Sequence, residues 1–261
     1  MSIHLVRLVP DAKRLAAFAA TRGALPRGGD LGYALHLALV AAFGAARPQP
    51  FRWIEPENRS GRTRTPQLLA YGADRETLRE AADLPRAEPG HEHHRREAAL
   101  ALRLSDTLET KAMPQIWRAG ARYGFEVRLR PVRRFGKTKR FPLDRGTAAE
   151  HDVYGVAMAA MKRTAGSEPL DPRTVYAEWA REQLQERGVA VERLGVLSLG
   201  RTPVVRGPVG SGRAKPFDGP DVTVGGTLRV ADPAAFADLI ARGLGRHRAF
   251  GFGMVLLKPA G

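Results

Sequence analysis

The chain contains no cysteine, which excludes disulfide cross-links and thiolate metal sites from the outset. It has no apolar run approaching the ~20 residues that a helix needs to cross a bilayer. Its opening residues read as a strand that ends at Pro10-Asp11, not as the apolar core of a signal peptide, so no cleaved leader is expected. Acidic residues are scarce: 27 Asp and Glu stand against 42 Lys and Arg, a formal net charge of +15. That imbalance points to a polyanionic partner, although a merely basic enzyme or a ribosomal-type protein would share it. At 43% hydrophobic content the 261 residues are expected to fold, as one large or two ordinary domains, and a cytoplasmic location is expected.

The most distinctive stretch is Gly243-Leu244-Gly245-Arg246-His247-Arg248-Ala249-Phe250-Gly251-Phe252-Gly253. Two Gly-apolar-Gly units flank five residues carrying three basic or titratable side chains, which combines a permissive backbone with positive charge. Dinucleotide fingerprints and Walker loops are the usual rivals, but both place a strand before the loop and a helix after it. Here the order is inverted. Asp232-Pro233 reads as a cap followed by Pro at the first helical position, and Gly243 ends that helix, so the loop leads into the last strand, Phe252 to Leu257. On residues alone, the glycines could equally serve only to let that strand pack closely.

Along the whole chain, two runs of elements follow the same order. Ile3 to Val9 reads as a strand, residues 11 to 23 as a short helix, and Leu31 to Gly44 as a helix burying Leu35, Leu39, Ala42 and Phe43. Phe51 to Ile54 and Gln67 to Tyr71 form a hairpin around the basic turn 58–65, and a helix over residues 74 to 83 starts at Asp74. A polar, His-rich connection is expected from Ala87 to Arg96, then a strand near Thr110 to Trp117. In the second run, strand Tyr123 to Pro131 leads through a basic connection, Arg133 to Arg145, to a helix from Asp171-Pro172 to Arg187. Strands Val189 to Leu199 and Val222 to Val230, the helix Pro233 to Arg242 and the last strand, Phe252 to Leu257, complete it. Each run is β-α-β-β-α-β. The expected fold is α+β, two tandem ferredoxin-like (RRM-like) domains, residues 1–119 and 120–261, similar in architecture but not in residues.

The terminal segment GLGRHRAFGFGMVLLKP resembles the glycine-rich loop of the CRISPR repeat-associated RNA-binding superfamily, and within it the CasE branch of type I-E systems. Tyr33-x-x-His36 in the first long helix and ETKAMPQIW…FEVRLRPVRR across the domain boundary extend the resemblance over the whole chain. It implies a metal-independent endoribonuclease without cofactor, which cuts the CRISPR repeat stem-loop of precursor crRNA to leave a 2′,3′-cyclic phosphate or 3′-phosphate and a 5′-hydroxyl. It also implies that the protein stays on the mature crRNA among the other Cascade subunits. A non-catalytic RNA-binding subunit of the same complex is the alternative, and a general RNA-binding protein of translation a third.

By that resemblance His36 is the catalytic acid or base and Tyr33 its positioning partner; three residues apart, they lie about 60° apart around a helix. Taken alone, a histidine between Leu35 and Leu37 is more commonly a core or surface residue. RNA contacts are expected from the basic run Arg128, Arg130, Arg133, Arg134, Lys137, Lys139 and Arg140. Acidic residues are nearly absent around that run, so it is not expected to neutralise itself. Further contacts are expected from Arg206, Arg213 and Lys215 in a Gly-rich segment, and from Gly245, Arg246, His247, Arg248 and Gly251. Such phosphate contacts confer affinity, while sequence is read where bases are unpaired. For His247, phosphate contact or loop structure is favoured over a role as base. His91-Glu92-His93-His94 reads as a solvated connection, and Glu178 and Glu182 as a charged helix face; no metal site is expected.

Overall fold

The computed structural model describes residues 2–24, 30–55, 65–84, 91–135, 150–161, 170–206 and 215–259. The first half runs β1 (His4–Leu8), α1 (Ala12–Ala20), α2 (Gly32–Phe43), β2 (Phe51–Ile54), β3 (Gln67–Gly72), α3 (Arg75–Asp83), α4 (His91–Leu102), α5 (Leu104–Thr107) and β4 (Glu109–Ala112). Its strands lie in the order β2-β3-β1-β4, every neighbour antiparallel. The second half runs β5 (Arg122–Leu129), β6 (Val132–Arg134), β7 (Glu150–Asp152), α6 (Val153–Met161), α7 (Pro172–Gln185), β8 (Val189–Arg206), β9 (Lys215–Val230), α8 (Pro233–Arg242) and β10 (Val255–Pro259). Its main sheet is ordered β10-β5-β9-β8, and β6 pairs with β7 as a separate ribbon. Both sheets therefore have the ferredoxin-like order, the second with a ribbon and α6 inserted after its first strand.

Local chemistry accounts for the helix starts. Asp11, Asp74, Asp171 and Asp232 each accept backbone N–H bonds from the first turn of the helix that follows, and Pro172 and Pro233 take positions where a missing N–H costs nothing. Elsewhere the structure departs from expectation. The His-rich stretch is the opening of α4 and not a connection, because Glu92 pairs with Arg95 and Arg96 along the helix while Ala98, Ala101 and Leu102 are buried on the other side. Strand β4 stops at Ala112, and Trp117, expected within it, packs edge-on against Phe236 with ring centres 5.0 Å apart. Strands β8 and β9 pair as far as Arg206 and Lys215, well past the expected limits, and β10 begins at Val255, three residues later than expected.

The first sheet is buried on both faces. Val6, Leu8, Leu68 and Ala70 point into a core shared with α1, α2 and α4, whereas Leu5, Leu69 and Tyr71 pack on the core of the second half. Alternation along β1 and β3 divides their side chains between the two cores. Tyr71 donates its hydroxyl to the Val255 carbonyl at 2.8 Å, and burial pushes its pKa far above the ordinary phenol value.

A second tie is ionic. Arg128 on β5 reaches Asp221 on β9 at 2.6 Å and Asp30, just before α2, at 2.8 Å, and all three side chains are less than a fifth exposed. The pairing holds the Asp221 carboxyl below its ordinary range despite its burial. Removing the cation would leave two carboxylates facing each other away from water. Arg128→Ala is therefore expected to cost about 3 kcal/mol in urea unfolding, the usual scale for breaking a buried pair from one side. A loss within a few tenths of a kcal/mol would show that the triad is solvated and does not tie the halves together.

Candidate active site

Helix α2 begins against the second half of the chain. The Gly32 N–H donates to Asp30 Oδ1 at 2.8 Å while Asp30 Oδ2 accepts from Arg128, so one carboxylate holds the first N–H of the helix and anchors it to the second half. Ala34, Leu35, Ala38 and Leu39 are buried. Tyr33 and His36 sit at the rim of that buried face, their rings nearly parallel with centres 6.3 Å apart.

The glycine-rich loop faces them. Its two Gly-apolar-Gly units are drawn together where the Leu244 N–H donates to the Gly253 carbonyl at 2.8 Å, and the Gly253 N–H donates to the Arg128 carbonyl at 2.7 Å. Gly253 has φ +84°, and a Cβ there would collide with the Leu244 carbonyl, so this neck requires glycine. Of the five intervening residues only Arg246 is exposed, while Phe250 is buried. Among them His247 has φ +61°, an uncommon backbone for a side-chain-bearing residue, and its carbonyl accepts from the Phe250 N–H at 2.8 Å. The Phe250 ring stacks on Tyr33 with centres 5.5 Å apart, and its carbonyl lies against Gly32, where any side chain would meet it.

Between helix and loop lies a cleft of about 740 Å³, walled by Tyr33, His36 and Gln49 on one side and by Glu150 and residues 245–250 on the other. Glu150, at the start of β7, accepts from Arg246 Nε at 2.7 Å and lies 2.6 Å from His247 Nε2. Those two contacts, the histidine first, hold its carboxyl near pKa 2. His36 is shifted too: burial, and then the positive charge of Arg47, lower its pKa below the ordinary 6.5. The cleft thus offers a histidine that is mainly neutral at pH 7, a phenol beside it, and a cationic loop opposite, a combination able to move a proton next to an anion.

The expected basic residues are distributed unevenly. Tyr33, His36, Gly245, Arg246, His247 and Arg248 line the cleft, while Gly251 is buried beneath the loop and borders a neighbouring cavity of about 370 Å³. Arg128 and Arg130 turn inward: Arg130 is 1% exposed and donates to the Thr202 carbonyl at 3.0 Å, and Arg128 belongs to the ion triad. The expectation that this run lacks acidic partners is corrected here, since folding brings Asp30 and Asp221 to Arg128 from distant segments. Arg133 and Arg134 are exposed on β6, with Arg133 3.6 Å from Glu182. Arg206 and Lys215 are cross-strand partners at the far end of the β8–β9 hairpin. Lys137, Lys139, Arg140 and Arg213 lie outside the described residues. Sequence reasoning missed Gln49, Glu150 and the influence of Arg47, and none of the three carried a local signal: Glu150 stands between Asp144 and Asp152 with nothing to mark it.

The family model described as CRISPR associated protein matches residues 3–259. A search of curated protein sequences found no match. Among solved structures, Thermus thermophilus Cse3 bound to an RNA representing a pre-cleavage complex is similar, with 17% identity, a TM-score of 0.58, and 99% of this chain and 100% of that chain covered. The CRISPR-associated protein Cas6e from Escherichia coli K-12 aligns at 17% identity and TM-score 0.51, over 100% of both chains. A chain of a CRISPR RNA-guided surveillance complex aligns at 15% identity and TM-score 0.52, over 98% of this chain and 100% of its own. At these identities the likeness is one of fold.

The shift at His36 is directly measurable. In an NMR titration of the free protein, His36 is expected to lose its proton below pH 6.5, so that the neutral imidazole dominates at pH 7. Arg47→Gln should move the midpoint up without restoring 6.5, because burial is the larger cause. A wild-type midpoint at or above 6.5 would mean that His36 is solvated.

Proposed function

This chain belongs to the CRISPR-associated protein family, and from that premise we propose that it is a repeat-RNA endoribonuclease which cuts precursor crRNA at the base of the repeat stem-loop. The observation that carries this reading is the meeting of Tyr33 and His36 with the basic glycine-rich loop across one cleft. Its RNA-bound structural relative and the resemblance to the CasE branch support the same substrate. Strand β4 ends at Ala112 in one sheet and β5 begins at Arg122 in the other, which supports dividing the chain into 1–119 and 120–261.

In the proposed reaction the 2′-hydroxyl attacks the adjacent phosphorus, the O2′–P bond forms and the P–O5′ bond breaks. Neutral His36 takes the 2′-hydroxyl proton, which ends on the leaving 5′-oxygen; the products are a 2′,3′-cyclic phosphate and a 5′-hydroxyl. Hydrolysis of the cyclic ester gives the 3′-phosphate. Tyr33, braced between His36 and Phe250, orients the sugar-phosphate. Arg246 and Arg248 offset the charge that develops on the phosphoryl oxygens. Arg133 and Arg134 extend the basic surface for the RNA stem, and Lys137, Lys139, Arg140, Arg206, Arg213 and Lys215 are further contacts proposed from the sequence. The product then stays bound, and the protein joins the other Cascade subunits on the mature guide, as the likeness to the surveillance-complex chain suggests.

The test is cleavage of a labelled repeat stem-loop RNA in excess EDTA. Wild-type protein is expected to cut once at the stem base and to leave RNA with a 2′-deoxy sugar at the cut intact. His36→Ala should lose at least ~100-fold in single-turnover rate with binding nearly unchanged, the lower range for losing a general acid or base. Tight binding without cleavage by the wild type would favour a non-catalytic RNA-binding subunit, and neither binding nor cleavage would remove the RNA substrate altogether.

A further inference from the structure

Among the described residues, Glu150 is the one carboxylate in the wall of the cleft. It stands on the inserted β6–β7 ribbon, opposite Arg134 in the strand register, and not on the ferredoxin-like framework itself. Both of its oxygens are engaged, Oε1 by Arg246 and Oε2 by His247, while the guanidinium of Arg130, just past the end of β5, adds a further nearby positive charge. We propose that Glu150 is a positioning residue, whose carboxylate locks Arg246 and His247 into a fixed wall facing Tyr33 and His36. This rests on the endoribonuclease reading above.

Three observations favour this role. First, the carboxyl stays ionised across the working pH range, so it can only accept, and the hydrogen in the contact with His247 must lie on Nε2. His247 is thereby fixed as the Nε2–H form and cannot use that nitrogen on a substrate. Second, the His247 side chain is only 5% exposed, and its ring lies 5.8 Å from Phe250, which in turn stacks on Tyr33. A line of packed groups therefore runs from the Glu150 carboxylate to the partner of His36. Third, His247 keeps a left-handed backbone that is unfavourable for it, which persists only where surrounding contacts fix it. Two bonds to a single carboxylate on a separate strand supply that restraint. A rival role would make the carboxylate a stand-in for the RNA phosphate, to be displaced on binding.

Glu150→Ala and Glu150→Gln separate these possibilities. The Ala variant is expected to cut saturating repeat RNA about 10- to 100-fold more slowly with affinity changed less than about threefold, as for a displaced positioning group, and Gln, which keeps an acceptor, should lose less. Independently of activity, the ¹⁵N signals of His247 should report the Nε2–H tautomer in the wild type and lose that preference in Glu150→Ala. Wild-type cleavage rates with an unaltered tautomer in either variant would overturn the proposal. Tighter RNA binding with faster cleavage would overturn it in favour of the stand-in. Should the wild type fail to cut repeat RNA at all, the endoribonuclease reading falls, and the tautomer alone decides whether Glu150 clamps the loop. If Glu150→Ala does not fold, the Gln variant carries both measurements.

Discussion

The candidate site depends on one close approach of backbone to backbone. The Phe250 carbonyl rests on the first turn of α2 at Gly32, where no side chain can fit, and this contact brings the loop near the C-terminal strand up to the helix that bears His36. Had α2 begun with any larger residue, the loop would stand off and Tyr33 would lose its stacking partner. The neck at Leu244 and Gly253 and the anchoring of Gly253 to the Arg128 carbonyl then fix how far the basic insert projects. Loop position, not loop composition alone, sets the width of the cleft.

The ion triad makes that approach reproducible. Arg128 joins the strand that supports the loop to the carboxylate at the start of α2, so the two walls of the cleft are referenced to one guanidinium. In a bidentate, planar contact an arginine holds distance and angle together, which a lysine would not. The same side chain shows why a basic run is an ambiguous sign. Alternation puts Arg128 and Arg130 on one face, but that face turns inward, and only Arg133 and Arg134 of the described members lie in the open.

Much of the framework was legible because it is periodic. Two strand-and-helix runs of matching order, aspartate caps and Gly stops are local signals, and they led to the ferredoxin-like sheets. The facing of Tyr33 and His36 followed from helix geometry alone. The opposition of helix and loop was not legible from residues, since no local rule brings Gly32 to Phe250; the resemblance to known proteins suggested a common role, and geometry supplied the distances. Glu150 and Gln49 went unseen for the same reason. The His-rich stretch misled because its polar residues occupy the exposed side of α4, whose apolar side begins only at Ala98.

One consequence concerns time. The cleft joins α2 to a loop made long after it, and most strands of both sheets and the inserted ribbon lie in between. While the protein is being synthesised, α2 can fold and His36 can reach its place, yet the opposing wall does not exist until residues 243–253 have left the ribosome. A nascent chain therefore carries His36 without the basic loop that completes the cleft around it. Long-range closure of this kind is slow compared with local folding, and the chemistry must wait for it.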